Sequence, residues 1–298
     1  MYITQMKPDD LHLAKNKRAL IAVSPTVSIQ TALNLMHTNK ITSLPIFSHD
    51  STQVVSIINL FDILLYLVGS ADVINKEKFT LSDPVENVLG LESDRESYWL
   101  HKTDSQDTLL ATLSAFATGV HRSLVVDYEH PKEKNLWLLS QTDIIRHIRS
   151  HPDCLQGHVD IRASIADLGL GKARPLATVS ATQSALSGYK LLAEKNLSGV
   201  PIVDSDGNLV GDLSLEDLPN ANLNNAEELG LLCLEYVRKR GASNTLPVAT
   251  PETSLEQIID ALISQDTHRV WIKQDKDSHK VIGVVTMSDI IGLICQKS

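Results

Sequence analysis

The chain has 298 residues, 36 acidic against 27 basic, for a formal net charge of -9. That balance excludes a broad cationic face for nucleic acid, so any anion site must be assembled from basic side chains gathered locally. A hydrophobic content of 43% and a charged content of 21% are those of a globular chain, long enough for about two domains that need neither disulfides nor structural metal to hold a core.

In chain order, Ser24-Pro25-Thr26 punctuates the start of a helix whose inner face carries Ile29, Ala32, Leu33 and Met36. Strand Ser43–Phe47, a polar turn, strand Val54–Ile58 and a helix from Leu60 toward Leu67 follow, giving a β-α-β-β-α unit. A second unit runs from Leu100 through a helix with Leu109, Leu110 and Leu113, strands at Ser123–Val126 and Leu136–Leu139, and a helix beginning near Asp143. The polar stretch from Ser150 to Ala163 reads as a junction. A third unit spans Leu176 to Leu218, with the hairpin signal Asp204-Ser205-Asp206-Gly207-Asn208 between its strands, and a fourth spans Leu246 to Ile294. The expected fold is α/β, built from four repeats at intervals of about 75 residues.

Each repeat closes its second strand with a polar residue followed three positions later by Asp: Asn59 and Asp62, Ser140 and Asp143, Ser214 and Asp217, Thr286 and Asp289. A carboxylate at a strand-to-helix corner can accept both hydroxyls of a ribose, while the hydroxyl before it and the helix amides face a phosphate. The same spacing also makes a capping box, and the two uses are compatible. Repeats two and four carry His121-Arg122 and His268-Arg269 before the middle strand, where repeats one and three carry Thr42-Ser43 and Ser198-Gly199 and then Pro45 and Pro201. Arg offers a planar fork of donors and His a titratable one, so these dipeptides are candidate phosphate ligands. The odd and even alternation predicts a duplicated pair: residues 1–150 (repeats at about 20–68 and 99–150), a linker at 151–163, and residues 164–298 (repeats at about 175–219 and 245–295).

Cys154, Cys233 and Cys295 are odd in number and scattered, which argues for a reducing compartment, the cytoplasm and also the nucleus. The first ten residues lack the apolar core of a signal peptide, and the apolar run Val54–Val68 is too short to span a bilayer. His147, His151, Cys154 and His158 have spacing that can suit zinc, but Pro152 interrupts them, and no metal is expected. Gly169-Leu170-Gly171-Lys172 lacks the ending of a phosphate loop and reads as a turn. No nucleophile elbow or zinc-hydrolase helix is present, so no catalytic residue is expected and the chain is read as a non-enzyme.

The four repeats, their Ser/Thr-x-x-Asp endings and the two His-Arg dipeptides resemble cystathionine-beta-synthase (CBS) domains paired into two Bateman modules. They are similar above all to the gamma regulatory subunit of AMP-activated protein kinase and its yeast sucrose-nonfermenting counterpart. The resemblance implies a non-catalytic, adenine-nucleotide-sensing subunit of a heterotrimeric Ser/Thr kinase. It would bind AMP, ADP and ATP at the interfaces between CBS repeats, without a resident cofactor, and partner a catalytic alpha and a scaffolding beta subunit, with neither nucleic acid nor membrane. It assigns Asp62, Asp217 and Asp289 to ribose, with Ser214 and Thr286 beside them, and His121, Arg122, His268 and Arg269 to phosphates. Ala177, Ser198 and Gly199 would line adenosine pockets, and Lys239 would supply a further charge. The chain departs from that pattern at Thr42 and Thr142, where basic residues are usual, and at Asn59, which replaces a hydroxyl residue. Conversely, Asp143 stands where mammalian gamma subunits carry a basic residue, so that with Ser140 before it nominal ribose chemistry is present in all four repeats. Arg269→Ala and Asp289→Ala are each expected to weaken AMP binding while leaving the fold nearly intact. The rival reading is a four-repeat CBS scaffold, or a phosphatase- or kinase-associated regulator, with weak or absent nucleotide binding.

Overall fold

A computed structural model of the chain describes residues 1–13, 20–69, 81–89, 99–129, 136–218, 228–240 and 246–297. The first repeat holds α1 (Ile29–Asn39), β1 (Ser43–Phe47), β2 (Val54–Asn59) and α2 (Leu60–Gly69). The second holds β3 (Lys102–Asp104), α3 (Leu110–Ala117), β4 (Arg122–Val126), β5 (Trp137–Ser140) and α4 (Gln141–Ser150). The third holds β6 (Val179–Ser180), α5 (Ala185–Lys195), β7 (Gly199–Val203) and β8 (Leu209–Ser214), followed by α6 (Cys233–Lys239). The fourth holds β9 (Val248–Ala249), α7 (Leu255–Ser264), β10 (Arg269–Lys273), β11 (Val281–Thr286) and α8 (Met287–Gln296). The fold is α/β, as the sequence leads one to expect.

Repeats two, three and four each form a three-stranded sheet in which a short first strand pairs parallel to the second and the second pairs antiparallel to the third. In the first repeat the place of the short strand is taken by a single parallel bridge from Val23 to Ile46 beside the β1-β2 hairpin.

The leading helices show why the amphipathic segments start and stop where they do. Ser28, Ser184 and Ser254 are extended N-caps whose hydroxyls accept the backbone N–H of Thr31, Ser187 and Gln257 at 3.1, 3.2 and 3.3 Å. α1 and α5 end at Lys40 and Asn196 in the left-handed region, φ 52° and 54°. α3 has no side-chain cap, because its N-cap is Leu109; the Leu109 N–H instead donates to the Met6 carbonyl at 2.7 Å.

The second helix of the third repeat departs from the expected pattern. The segment Leu215–Asp217 is a single 3-10 turn, and Leu218 turns extended at φ -54°, ψ 142°. Pro219 follows in the sequence, and the residue before a proline is disfavoured in the helical region.

By density of contact the chain divides into two compact units, each of which joins alternate repeats. Unit 1 comprises Met1–Leu20, His101–Pro175 and Pro247–Ser298, and therefore repeats two and four; unit 2 comprises Ile21–Leu100 and Leu176–Leu246, repeats one and three. In unit 1, α3 packs on α8, and α4 packs on α7 and α8; in unit 2, α2 packs on α5 and on the 3-10 turn at Leu215–Asp217. The grouping of repeats in chain order, 1–150 and 164–298, cuts across these units.

Unit 1 also takes in two segments outside the repeat pattern. Tyr2, Ile3, Met6 and Leu11 are buried in its core, and the Tyr2 hydroxyl donates to the Ile294 carbonyl at 2.7 Å near the end of α8. The stretch read as a polar junction contributes Cys154, Leu155 and Val159 to the same core. Gly171 and Gly283 allow the segment before the third repeat to cross β11: a Cβ on Gly283 would lie 2.6 Å from the Gly171 carbonyl oxygen.

Candidate nucleotide-binding site

Strand register gives all four repeats one local geometry. Ser43 pairs with Asn59, Arg122 with Ser140, Gly199 with Ser214 and Arg269 with Thr286. The residue just before each of these accepts the backbone N–H of the first residue after the strand. Thus Leu60 donates to Thr42 at 3.2 Å, Gln141 to His121 at 3.1 Å, Leu215 to Ser198 at 3.1 Å and Met287 to His268 at 3.4 Å. Arg122 and Arg269, predicted phosphate ligands of repeats two and four, therefore stand directly across the hairpin from Ser140 and Thr286, and the carboxylates of Asp143 and Asp289 follow three residues on, in the first turns of α4 and α8. Arg269 is buried, Arg122 and His268 are half-buried, and His121 is exposed.

The carboxylates act first as caps. Oδ2 of Asp62, Asp143, Asp217 and Asp289 accepts the backbone N–H of Asn59, Ser140, Ser214 and Thr286, each at 2.8 Å. The same oxygen takes the hydroxyl of Ser140, Ser214 and Thr286 at 2.7, 2.9 and 2.7 Å. In the first repeat the Asn59 side-chain carbonyl accepts the N–H groups of Phe61 and Asp62 at 2.8 and 3.1 Å, so Asn does locally what the hydroxyl does elsewhere. Because the cap uses Oδ2 in every case, capping and a second acceptor role through Oδ1 do not compete for one atom. Asp289→Ala therefore removes the carboxylate half of a capping box along with the candidate ribose ligand, and leaves the Thr286 N-cap in place.

The third site differs electrostatically. Burial pushes the Asp217 carboxyl up to about 6 against the opposing pull of its Ser214 hydrogen bonds, and Asp212 and Glu216 add to the rise. The Tyr236 hydroxyl donates to the Asp217 backbone carbonyl at 2.6 Å and lies 3.3 Å from the Tyr189 hydroxyl. Lys239, at the end of α6, pairs with Glu228 at 2.8 Å, and Arg240 pairs with the same carboxylate at 2.9 Å. Ala177 is partly buried against the core of unit 2, two residues before β6.

One link was not read from the sequence. The Gln141 side-chain amide donates to the Ser288 hydroxyl at 2.9 Å and to the Phe116 carbonyl at 2.8 Å, and Thr142 reaches the Met287 sulfur at 3.7 Å. The N-termini of α4 and α8, which carry the endings of repeats two and four, thus meet inside unit 1. The signal was the amide at position 141 where the fourth repeat has Met287, which a search for like residues at like positions passes over.

The histidines at the predicted junction do other work. His147 and His151 stack at 4.6 Å, and His158 stacks on Tyr2 at 3.9 Å while its Nδ1 lies 2.8 Å from the Lys297 carbonyl oxygen. Among the described residues no group of three His, Cys, Asp or Glu side chains is placed to hold a metal ion.

The CBS domain model matches residues 16–69, 166–222 and 242–295, more than half of the chain. The chain belongs to the CBS domain family. The matched segments are the first, third and fourth repeats; the second joins them through its register, in which Arg122 and Ser140 repeat the pairing of Arg269 and Thr286. Protein SDS23 of Kluyveromyces lactis is 26% identical over 98% of this chain and 63% of its own length. Protein SDS23 of Saccharomyces cerevisiae is 25% identical, the match covering 87% of this chain and 54% of the relative. The chain thus spans little more than half the length of these relatives. The SNF1-related protein kinase regulatory subunit gamma-like PV42a of Arabidopsis thaliana is 23% identical, with 94% of this chain and 92% of that protein covered. Among solved structures, protein MJ1225 of Methanocaldococcus jannaschii, proposed as an archaeal homolog of g-AMPK, superposes with a TM-score of 0.75 at 19% identity, covering 96% of this chain and 99% of that one. The likeness gives the chain the fold of a tandem CBS protein, four repeats in two Bateman modules.

Proposed function

We propose that this CBS protein is a non-catalytic regulatory subunit that senses adenine nucleotides, binding AMP, ADP and ATP at its CBS repeats and biasing the activity of a Ser/Thr protein kinase. The observation that carries the reading is the register of repeats two and four, which sets Arg122 opposite Ser140 and Arg269 opposite Thr286, beside the carboxylates of Asp143 and Asp289. A protein of net charge -9 needs such concentrated cationic positions to hold a phosphate. The gamma-like relative from Arabidopsis thaliana supports a kinase as the partner class, with catalytic alpha and scaffolding beta subunits as its docking targets. In this reading repeats one and two, residues 1–150, and repeats three and four, residues 164–298, act as the functional pairs, and the protein works in the cytoplasm and nucleus. AMP and ATP signal differently only if they stabilise different states of the subunit or its complex, since equal affinity for two states shifts neither.

A second reading is favoured by the capping geometry and by the SDS23 relatives. Four carboxylates that each cap a strand-to-helix corner can serve a scaffold that binds proteins and no nucleotide. Calorimetric titration with AMP, ADP and ATP separates the two. The sensor binds at least one nucleotide saturably below millimolar concentration and loses affinity on Arg122→Ala or Arg269→Ala. Absence of saturable binding removes the sensor and leaves the scaffold.

A further inference from the structure

Alternation along β10 divides its side chains between two faces. Val270 and Ile272 belong to the apolar core of unit 1, whereas Trp271 does not, so Trp271 shares the opposite face with Arg269, one rung along the strand. Across the hairpin, Arg269 faces Thr286 and Trp271 faces Val284. Trp271 is 2% exposed, and its indole Nε1 is buried with no hydrogen-bond partner. A buried donor in that condition is rare in folded proteins and costs stability, a cost that an acceptor on a bound ligand would relieve.

Internal symmetry shows that the fold does not require an indole at this position. Two residues beyond Ser43, Arg122 and Gly199 stand Pro45, Leu124 and Pro201, none of which carries a side-chain donor. Only the fourth repeat puts an N–H there, and it does so next to a buried arginine at the N-terminus of the ten-residue helix α8. Two strand residues advance about 6.8 Å, on the scale that separates a nucleotide's phosphate from its base. A phosphoryl group held by Arg269 would thus lie one rung from the indole, with the base drawn toward it.

We propose that Trp271 is a ligand-contacting residue peculiar to the fourth repeat, its Nε1–H donating to a ring nitrogen of the purine whose phosphate Arg269 holds. The proposal rests on the nucleotide reading above. It makes the fourth repeat a site that recognises the base by a directional bond, where the other three offer only apolar surface at that rung.

The chain has three tryptophans, so protein labelled with nitrogen-15 gives at most three indole signals, and Trp271→Phe identifies the one at issue. On titration of the full chain with AMP, that signal should move along a saturating curve, whereas ribose 5-phosphate, which has no base, should leave it in place. Trp271→Phe should weaken one class of AMP sites about 10-fold, equivalent to about 1.4 kcal/mol; the smaller phenyl ring relieves the unsatisfied donor but leaves a small cavity at this buried position, so affinity is compared at equal fractions folded. If the substitution lowers the yield of folded protein, Trp271→Leu, the residue of the second repeat, carries the comparison. A static indole signal at saturating AMP, or parental affinity in the variant, overturns the proposal. Failure of the parent to bind AMP removes the nucleotide reading itself; AMP binding that is impaired by Arg269→Ala while the indole stays silent removes this inference alone.

Discussion

Replacing Asp289 by alanine probes the double duty of the repeat endings. The carboxylate accepts the Thr286 backbone N–H at 2.8 Å and the Thr286 hydroxyl at 2.7 Å through one oxygen. Alanine leaves that partly buried N–H without an acceptor, at about 1–3 kcal/mol, and removes a negative charge from the first turn of α8, at about 0.3–1 kcal/mol. The Thr286 hydroxyl still accepts the backbone N–H of residue 289, at 3.3 Å in the parent, so the N-cap itself survives. The sum is about 1.3–4 kcal/mol, or roughly 3–16 °C in melting temperature for a unit of this size. The loss reaches the core because α8 buries Met287, Ile290, Ile291, Leu293 and Ile294 and packs on α3. Urea denaturation followed by circular dichroism measures it. Asp289→Asn, whose amide oxygen can replace the acceptor but not the charge, should lose less. An alanine variant within about 0.5 kcal/mol of the parent, the scatter of neutral surface changes, would refute the capping argument. AMP affinity in this variant has to be compared at equal fractions folded.

Gly283→Ala should destabilise unit 1 by about 2 kcal/mol or more, because the new methyl would stand 2.6 Å from the Gly171 carbonyl and 3.1 Å from that of Lys172, both backbone atoms; a thermal melt checks it. Tyr2→Phe, which removes the hydroxyl bonded to the Ile294 carbonyl, should cost about 1 kcal/mol; an unchanged denaturation midpoint would mean that the N-terminal segment does not brace α8. Asp217 gives a pH signature: burial raises its folded carboxyl to about 6, above the ordinary carboxylate value of 3.8, so the folded state binds the proton more tightly than the unfolded chain. Its ionisation therefore works against the fold above about pH 6, and that penalty is relieved as pH falls from about 6 toward about 4. Asp217→Asn should flatten that part of the stability curve; a parental slope in the variant would refute it.

Local pattern was legible in the sequence wherever it depends on nearby residues. The polar residue three positions before each Asp, the Pro or His-Arg at the middle strand and the helical stripes such as Ile29, Ala32, Leu33 and Met36 all fall where expected, because capping and amphipathic burial act over one or two turns. What pairs with what was not legible. The stripe of α3 shows that one face is buried and does not show that α8, far along the chain, covers it. Tyr2, Ile3, Met6 and Leu11 lie in or beside short 3-10 turns and follow no helical or strand period, so no sequence pattern marks their burial in unit 1. Cys154, Leu155 and Val159 were hidden in the same way by polar neighbours. At the site, residue types were readable; the register that sets Arg122 and Arg269 against Ser140 and Thr286, and the orphan indole of Trp271, needed the strands in place.

The central claim, that the corners of these CBS repeats hold a nucleotide, is tested most directly by a crystal structure grown with excess AMP. The account predicts phosphate density within hydrogen-bonding distance of Arg269 or Arg122, with ribose hydroxyls on the carboxylate of the same site. An ordered structure at saturating AMP with no nucleotide at any of the four corners, and every carboxylate engaged solely as a cap, would contradict it.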